Sequence, residues 1–352
     1  MSASVAITLR RTRFVTRAAD RVAWPADFGR RFLVTVDVEE EFDWSQPFSR
    51  EQRSVAAIAA LPAMHRRLIG EGVPPLYFVD HPVAADPAAA ATIAAMLDEP
   101  GTALGAQLHP WVNPPHVEAP GQGASFAGNL PPDVEAAKLD SLIDAIEAGI
   151  GRRPLAYRAG RYGIGLRTLA LLASRGIAVD SSMRAFHDYR AEGGADFSGV
   201  GADAFHSAEG VLELPLTSVH TGRWRHWGQA LHRSAGRVPR GRGMLARAGL
   251  LSRVPMTPEG VAAAEAVEAV ATAAQDGQRL LVLSFHSPSL VPGNTPYVRD
   301  QADLSRFHAW WDAVLPTLLH HGYRPVSLAE ILVAASPRGG GAVGPAGLEP
   351  AT

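Results

Sequence analysis

The feature that most constrains the fold is the alternation of short apolar, β-branched runs with longer helical stretches. Strand-like runs lie at residues 31–37, 76–79, 103–108, 154–157, 177–180, 211–216, 280–285 and 323–326. Helical patterns lie between most of them, at residues 49–70, 88–97, 133–148, 165–175, 258–275, 300–320 and 327–334. Strands that alternate with helices predict βαβ units and parallel pairing. Because about seven or eight such units follow one another, an α/β fold of the distorted (β/α)7-8 barrel type fits better than the alternative, a doubly wound sheet.

Segments that break this alternation define the domain organisation. Residues 1–30 are basic and lack an apolar core with a cleavage site, so we expect an N-terminal arm that is either disordered or added by a mis-assigned start codon. Residues 31–336 are predicted to form one barrel domain, with an arginine-rich insertion at about 221–253. The Pro- and Gly-rich stretch 110–133 is too long for an ordinary strand-to-helix loop and predicts a lid or substrate wall. Residues 337–352 are rich in Gly and Pro and predict a disordered tail.

Composition excludes several classes of protein. The 352 residues include no cysteine, which rules out disulfides and zinc sites built on thiolates. A formal net charge of −2 argues against a dedicated nucleic-acid binder. The longest apolar runs are alanine-rich and too short to span a bilayer, so we expect no transmembrane segment and a cytoplasmic location. Any bound metal would need histidine, carboxylate or amide ligands.

Polar side chains of ligand type close almost every predicted strand. They are Asp37 and Glu39, Asp80 and His81, Gln107 and His109, Arg158, Asp180, and His286. In a (β/α) barrel the carboxyl ends of the strands meet at one face, where catalytic groups lie. The pattern therefore predicts a single convergent site.

Spacing within two of these strands sharpens the prediction. Residues two apart on a strand share a face, so Asp37 and Glu39 are expected to point into the barrel mouth together, and likewise Gln107 and His109. Carboxylates with an amide and imidazoles suit a divalent metal or a general acid and base. The alternative is that the acidic residues after residue 36 only lie on a solvent-exposed loop. An acid that directly follows a buried strand favours the functional interpretation.

Five short motifs carry a resemblance to a known family. They are Thr35-Val36-Asp37-Val38-Glu39-Glu40, Gln107-Leu108-His109-Pro110, Arg158-Ala159-Gly160-Arg161-Tyr162-Gly163, Asp180-Ser181-Ser182 and Ser284-Phe285-His286. In this order and at strand ends, they resemble the motifs of polysaccharide deacetylases, the NodB-like superfamily that includes carbohydrate esterase family 4. The resemblance spans roughly residues 32–334. It implies a hydrolase that removes an N-acetyl group from a carbohydrate or polysaccharide precursor with a metal-activated water.

The resemblance also implies roles for four residues outside the metal site. Asp37 matches the general base, and Arg158 matches the arginine that orients it. His286 matches the histidine that protonates the leaving amine, and Asp180 stands where family members buttress the site. The alternatives are an ion pair at the barrel rim for Arg158 and a satisfied core histidine for His286.

A divalent metal, usually zinc, is implied as well, with a ligand set that departs from the family pattern. The usual metal-binding aspartate is replaced by Val38, and Glu39 on the face of the general base is the candidate to take its place. His109 matches the second metal histidine, while the first would fall at Gly105. Two side chains are candidates to replace that missing histidine, namely His81 and Gln107.

Substrate contacts and competing functions stay open at this point. Trp111 is a candidate to stack on a sugar ring or to pack, and backbone amides near Tyr162 are candidates for an oxyanion site. The arginine-rich insertion would suit an anionic or lipid-linked substrate, or is merely solvated. Alternatives to the metal-dependent deacetylase are a metal-free amidohydrolase and an inactive glycan-binding protein. A glycosidase is disfavoured because neighbouring carboxylates on one strand cannot flank a glycosidic bond.

Overall fold

A curled, mostly parallel sheet surrounded by helices forms the part of the chain described by the computed structural model, residues 12–336. The strands are β1 (Arg13–Val15), β2 (Arg30–Val38), β3 (Leu76–Val79), β4 (Ala103–Leu108), β5 (Ala156–Ala159), β6 (Val179–Asp180), β7 (Asp196–Gly199), β8 (Phe205–His206), β9 (Leu212–Glu213), β10 (Ser218–Thr221), β11 (Ser252–Pro255), β12 (Leu280–His286) and β13 (Tyr323–Pro325). The α-helices are α1 (Leu61–Gly70), α2 (His81–Ala85), α3 (Pro87–Met96), α4 (Pro132–Ile150), α5 (Thr168–Ser174), α6 (Gly228–Ala235), α7 (Gly241–Arg247), α8 (Ala263–Gln275), α9 (Gln301–His320) and α10 (Leu328–Ala335).

Strand order confirms the distorted barrel. The main sheet runs β12-β2-β3-β4-β5-β6-β9-β8, with β13 added beside β2, and only the β8–β9 pair is antiparallel. The order follows the chain around the sheet without the reversal that defines a doubly wound fold. Between β9 and β12, two hydrogen bonds replace a strand pair: Thr217 N–H donates to Val282 O at 3.1 Å, and Val282 N–H donates to Thr217 Oγ1 at 2.9 Å. We call this junction the seam.

Alternation along β2 places its residues in two different layers. Val34, Val36 and Val38 belong to the core between the sheet and the surrounding helices, which includes Trp310 and Trp311. Leu33, on the other face, packs inside the curl of the sheet with side chains from several strands. Because side chains alternate, Asp37 lies on this inner face at the carboxyl end of β2, while Val38 turns outward. The predicted facing of this strand is confirmed.

The prediction of a disordered arm over residues 1–30 is wrong for residues 12–30. Strand β1 pairs in parallel with β7, and Phe14 packs on Phe197 with ring centroids 5.5 Å apart. Trp24 stacks on Phe28, whose side chain is buried. Arginines dominate the composition here, but the apolar residues between them anchor the segment to the domain. Residues 1–11 and the predicted tail at 337–352 lie outside the described residues.

The arginine-rich insertion is a pair of short helices held by an antiparallel strand pair. Helices α6 and α7 lie between β10 and β11, whose register joins Ser218 to Pro255. Met256 N–H donates to Thr217 O at 3.0 Å, and Ser284 N–H donates to Met256 O at 3.2 Å. The insertion therefore leaves the barrel and returns to it at the seam.

Two further segments differ in detail from the sequence prediction. The helix predicted over 49–70 begins at residue 61, after a 3-10 turn at Ala56–Ala60, and its first seven predicted residues, 49–55, form an irregular loop. The start of the stretch 110–133, which was predicted to be a lid or substrate wall, is fixed in place because buried Lys138 donates to the carbonyl oxygens of Pro110 at 2.9 Å and Asn113 at 2.6 Å. Across residues 12–336, no helix combines the length and apolarity that a membrane span requires.

Candidate active site

A buried ion pair, Asp37 with Arg158, lies at the centre of the candidate site. The guanidinium of Arg158, on β5, donates to Asp37 Oδ1, to Thr35 Oγ1 at 3.0 Å and to Ser181 Oγ at 2.9 Å. Its Nε also donates to Ser181 O at 3.0 Å, and it lies over the Phe78 ring. These contacts fix the Asp37 carboxylate in one orientation. They also place the positive charge of Arg158 next to its negative charge.

His286 faces the other oxygen of Asp37. The two residues are partners in the β12–β2 register, and His286 Nε2 lies 3.5 Å from Asp37 Oδ2. On the far side of the ring, Nδ1 lies 2.6 Å from Glu259 Oε2, while the His286 N–H donates to Glu259 Oε1 at 3.1 Å. Burial opposes a charged imidazole, but the carboxylates of Glu259 and Glu39 outweigh it and raise the pKa of His286 well above its usual value. The raised pKa favours the protonated form of His286, which is the form that a general acid requires.

Glu39, Gln107 and His109 form a second group beside Asp37. Gln107 Nε2 donates to Glu39 Oε2 at 3.1 Å, and His109 Nε2 lies 3.4 Å from the same oxygen. Burial raises the pKa of Glu39 to about 8, against the opposing pull of His286 and His109. Asp37, Glu39 and His286 each offer one atom within 4.8 Å of the others. The structure thus brings together the residues at the ends of β2, β4 and β12.

A buried carboxylate pair supports His109 from behind. His109 Nδ1 lies 2.7 Å from Glu40 Oε2, and Trp111 Nε1 donates to Glu40 Oε1 at 2.8 Å. Glu40 N–H in turn donates to Asp80 Oδ2 at 2.8 Å, while Asp80 Oδ1 accepts from Val83 N–H and so caps helix α2. Contacts at Nδ1 leave Nε2 of His109 aimed toward Glu39.

Three further predicted site residues do not line the cleft above this group. His81 is not among the residues of the cleft: it starts helix α2, and its neighbour Asp80 turns inward as the helix cap. Trp111 is buried, stacked on His109 with centroids 4.4 Å apart, and so unavailable for stacking on a sugar. Asp180 lies behind Arg158, where Ser182 Oγ donates to it.

Asp180 pairs there with a second acid. Burial raises the pKa of Asp180, and burial together with Asp180 raises the pKa of Glu213 well above its usual value. Neither carboxylate oxygen of Glu213 has an N–H or O–H donor among the described residues other than its acidic neighbour. These shifts favour one proton held between the two acids, which would keep an extra negative charge away from the Arg158–Asp37 pair.

An open cleft of about 320 Å³ lies above these groups. It is lined by Asp37, Glu39, Trp44, Gln107, His109, Ala159, Arg161, Tyr162, Arg184, Tyr189, Glu192, His286, Thr295, Pro296 and Tyr297. Tyr162 thus lies where it was predicted, and both it and Arg161 adopt left-handed backbone conformations, with φ of 59° and 55°. Strained backbone of this kind is typical of functional sites.

Sequence reasoning missed several residues of this site. Glu259 lies in the irregular turn before α8, and Arg184 and Tyr189 lie in an irregular segment after β6. None of them closes a strand, so the signal that identified the other residues was absent. For Trp44 the only signal was its place shortly after the Asp37-Val38-Glu39 motif.

The donor set fits a divalent metal. Glu39 offers a carboxylate and His109 a free Nε2, with its other nitrogen held by a carboxylate as in many metal-binding histidines. Gln107 Oε1 is buried and has no hydrogen-bond partner among the described residues. Rotation of the Gln107 amide by half a turn would direct that oxygen toward Glu39. Oxygen and imidazole donors of this kind suit zinc and similar ions.

Comparison with known proteins gives similarity to solved structures alone. No family model matches the sequence, and neither does any curated protein. A structure assigned as a polysaccharide deacetylase from Mycobacterium smegmatis is 21% identical, with 90% of this chain and 98% of that chain covered and a TM-score of 0.47. A polysaccharide deacetylase structure from Pseudomonas aeruginosa PAO1 is 14% identical, with 88% and 91% covered and a TM-score of 0.49. The Puue allantoinase structure is also 14% identical, with 91% and 97% covered and a TM-score of 0.49. The chain is similar over most of its length to solved polysaccharide deacetylases, the group that its sequence motifs resemble.

Proposed function

We propose that this protein is a hydrolase that cleaves an amide-linked acyl group, N-acetyl by the motif resemblance, from a carbohydrate or polysaccharide precursor. One observation carries the proposal: in an open cleft, a carboxylate fixed by a buried arginine faces a histidine that is itself paired with a second carboxylate. Asp37 Oδ2 and His286 Nε2 are 3.5 Å apart, so a base and an acid can act on one bound amide. A site that only binds glycans does not require both.

The side chains divide the reaction between them. Asp37 accepts a proton from a water molecule, whose oxygen attacks the acyl carbon. His286 then donates its proton to the amide nitrogen as the carbon–nitrogen bond breaks, so that an amine and a carboxylic acid leave. Glu259 stabilises the charged form of His286, and Arg158 donates to Asp37 and fixes its orientation. We assign the stabilisation of the oxyanion to backbone N–H groups near Tyr162.

Glu39 and His109 are the residues that would hold a divalent metal, zinc by the resemblance, with Gln107 Oε1 as a third donor. When bound there, such an ion polarises the acyl oxygen and lowers the pKa of water. Glu40 and Asp80 would then act through His109, because they fix the orientation of its ring.

A metal-free amidohydrolase is the second candidate. It is favoured by the finding that Asp37 and His286 each have an oppositely charged protein partner, namely Arg158 and Glu259. Elemental mass spectrometry on untagged protein, purified without chelator, separates the two candidates. Near-stoichiometric zinc, cobalt or nickel that is lost in His109→Ala supports the metal-dependent reaction, whereas a site that stays empty after metal addition supports the metal-free one.

The direct test is acetate release from N-acetylated glycans. We expect Asp37→Asn to lower turnover by about 10²- to 10⁴-fold while the circular dichroism spectrum is unchanged, because the general base is lost. Asp144→Asn is the matched control, since Asp144 is an exposed acid on helix α4. An Asp37→Asn variant that keeps full activity would exclude this assignment. Tight glycan binding without acetate release under any added divalent metal would indicate a binding protein instead.

Arg184 supports a negative charge on the substrate. It lines the cleft next to Tyr162, with its guanidinium carbon 5.5 Å from the ring centroid. Among the described residues it forms no ion pair with a carboxylate, whereas Arg161 in the same cleft is paired with Glu192 at 3.0 Å. An unpaired cation in a cleft attracts anions. We therefore propose an anionic substrate, for which lipid linkage would be one source of the charge.

A further inference from the structure

A small second cavity lies where the insertion meets the barrel. Its volume is about 70 Å³, roughly the room of two liquid-water molecules. Arg233, Arg242 and Arg253 line it together with His220 and His232. We call it the insertion pocket. It is too small for a sugar ring and large enough for one tetrahedral oxyanion.

The positive charges of the insertion pocket are offset only in part by the protein, through Asp188 in the lining. Within residues 12–336, none of its three arginines forms an ion pair with a carboxylate. Their hydrogen bonds go to neutral groups: Arg253 Nη1 donates to Phe186 O at 2.6 Å, Arg242 Nε to His232 O at 3.1 Å, and Arg233 Nη2 to Ser198 Oγ at 3.2 Å. Asp188, the one acid in the lining, is bound to Arg190 at 2.7 Å.

The positive charge around the pocket lowers the pKa values of its two histidines. Burial and the charge of Arg253 lower the pKa of His220 to about 4, and burial with Arg253 and Arg242 lowers the pKa of His232 to about 3. Both are neutral at physiological pH and can donate or accept. His220 Nε2 is buried without a hydrogen-bond partner among the described residues. The pocket therefore offers a free imidazole nitrogen beside three guanidinium groups.

Contacts among Phe186, His220 and Gly228 fix the geometry of the pocket wall. Phe186 adopts a left-handed backbone with φ of 64°, an unfavourable conformation for an aromatic residue, and its carbonyl positions Arg253. The Phe186 and His220 rings pack with centroids 4.7 Å apart. A side chain at Gly228 would overlap His220, so only glycine lets helix α6 approach that ring.

We infer that the insertion pocket binds a phosphate-class oxyanion, held by Arg233, Arg242 and Arg253 with His220. Guanidinium groups match tetrahedral oxyanions through paired N–H donors, and a phosphate carries between one and two negative charges at neutral pH. Such an ion would relieve the repulsion among the arginines. This site is separate from the Asp37–His286 pair and does not depend on the proposed function.

Calorimetric titration of the full chain with inorganic phosphate, in low-salt buffer, tests the inference. We expect one site per chain, with binding at least tenfold weaker in Arg242→Gln and in Arg233→Gln. Both arginines are exposed overall, so the fold should persist, which thermal unfolding without phosphate would verify. Arg247→Gln is the matched control, because Arg247 is an exposed arginine of helix α7 outside the pocket lining; we expect less than a twofold change.

Two results would overturn the inference: no phosphate binding by the folded wild-type chain, or equal weakening by Arg247→Gln and Arg242→Gln, which would indicate diffuse attraction by the arginine-rich surface. A parallel titration with N-acetylglucosamine 1-phosphate distinguishes the sources of the anion. Tighter binding of this ester than of inorganic phosphate would assign the site to a phosphorylated substrate. Tighter binding of inorganic phosphate would assign it to a free ion.

Discussion

Arg158 is the residue on which the charge balance of the catalytic centre depends. It is fully buried, and its donors are divided among Asp37, Thr35 and Ser181. Removal of the guanidinium leaves a buried carboxylate without its partner, which is far costlier than the loss of an exposed ion pair. The role of Arg158 is thus structural as well as orienting.

We expect Arg158→Met to lower the free energy of unfolding by about 3–5 kcal/mol, as measured by chemical denaturation at pH 7. Arg152→Gln is the control, because Arg152 forms an exposed ion pair with Asp98 at 2.6 Å, and its loss should cost less than about 1 kcal/mol. Equal stability of the two variants would show that Asp37 does not require its partner.

Glu259 sets the charge of His286, and its removal should change the pH profile more than the fold. A raised histidine pKa keeps the acid protonated until the pH rises through that value. In Glu259→Gln the pKa of His286 falls, so the alkaline limb of the rate profile should move to lower pH. The control is Glu268→Gln, on the outer helix α8, which should leave the limb in place. An unmoved limb in Glu259→Gln would mean that His286 is not the acid that titrates there.

A residue could be assigned to the candidate site from the sequence only where it lies at the end of a predicted strand. Asp37, Glu39 and His286 were predicted together because each follows an apolar run whose end faces the same mouth. Glu259 could not be found in this way, since its position is set by a turn and by a contact with a residue 27 positions later. Asp80 was placed correctly at a strand end, but which of Asp80 and His81 turns inward depends on the helix cap.

Among the secondary-structure elements, those with long apolar runs were predicted reliably from the sequence. The predicted bounds of β3 and β4 match the observed ones, because both are buried parallel strands bounded by polar residues. Strands β8 and β10, of two and four residues, lie in segments without a clear apolar periodicity and were not predicted. Strand β1 was missed because its two apolar residues, Phe14 and Val15, stand among arginines.

Strand β1 provides a prediction about the N-terminal segment. We expect Phe14→Ala to lower the free energy of unfolding by about 1–3 kcal/mol, because the ring packs against Phe197 at the edge of the domain. Its neighbour Val15 is 60% exposed, so Val15→Ala is the control and should change stability by less than about 0.5 kcal/mol. If both variants behave alike, β1 does not contribute to the domain in solution.

Over the whole molecule, the buried acids make stability dependent on pH. Burial raises the pKa of Glu39 to about 8 in the folded chain, whereas its ordinary value is 4.5. The folded state therefore binds more protons than the unfolded state across this window, and stability is lost as the pH rises through about 8. Asp80 and Glu213 shift in the same direction. The lowered histidine pKa values act below pH 6.5 and so do not oppose this trend.

We expect thermal unfolding in the presence of chelator to show a midpoint that falls between pH 7 and pH 8.5. Glu39→Gln should flatten this dependence, because it removes one titrating group, worth at most about 1.4 kcal/mol per pH unit. Glu41→Gln, at a partly exposed acid two residues further along the chain, is the control and should keep the wild-type slope. Parallel slopes for all three proteins would contradict the assignment of a buried proton to Glu39.

The seam has a consequence for how such a chain can diversify. Because the insertion departs and rejoins at Thr217 and Met256, a change in its length leaves the pairing of β2 with β3 and β12 in register. Lineages can therefore exchange this module for another, and acquire or lose its anion pocket, while inheriting the catalytic strands unaltered. The anion pocket of the insertion and the catalytic residues on the strands can thus change independently within one barrel.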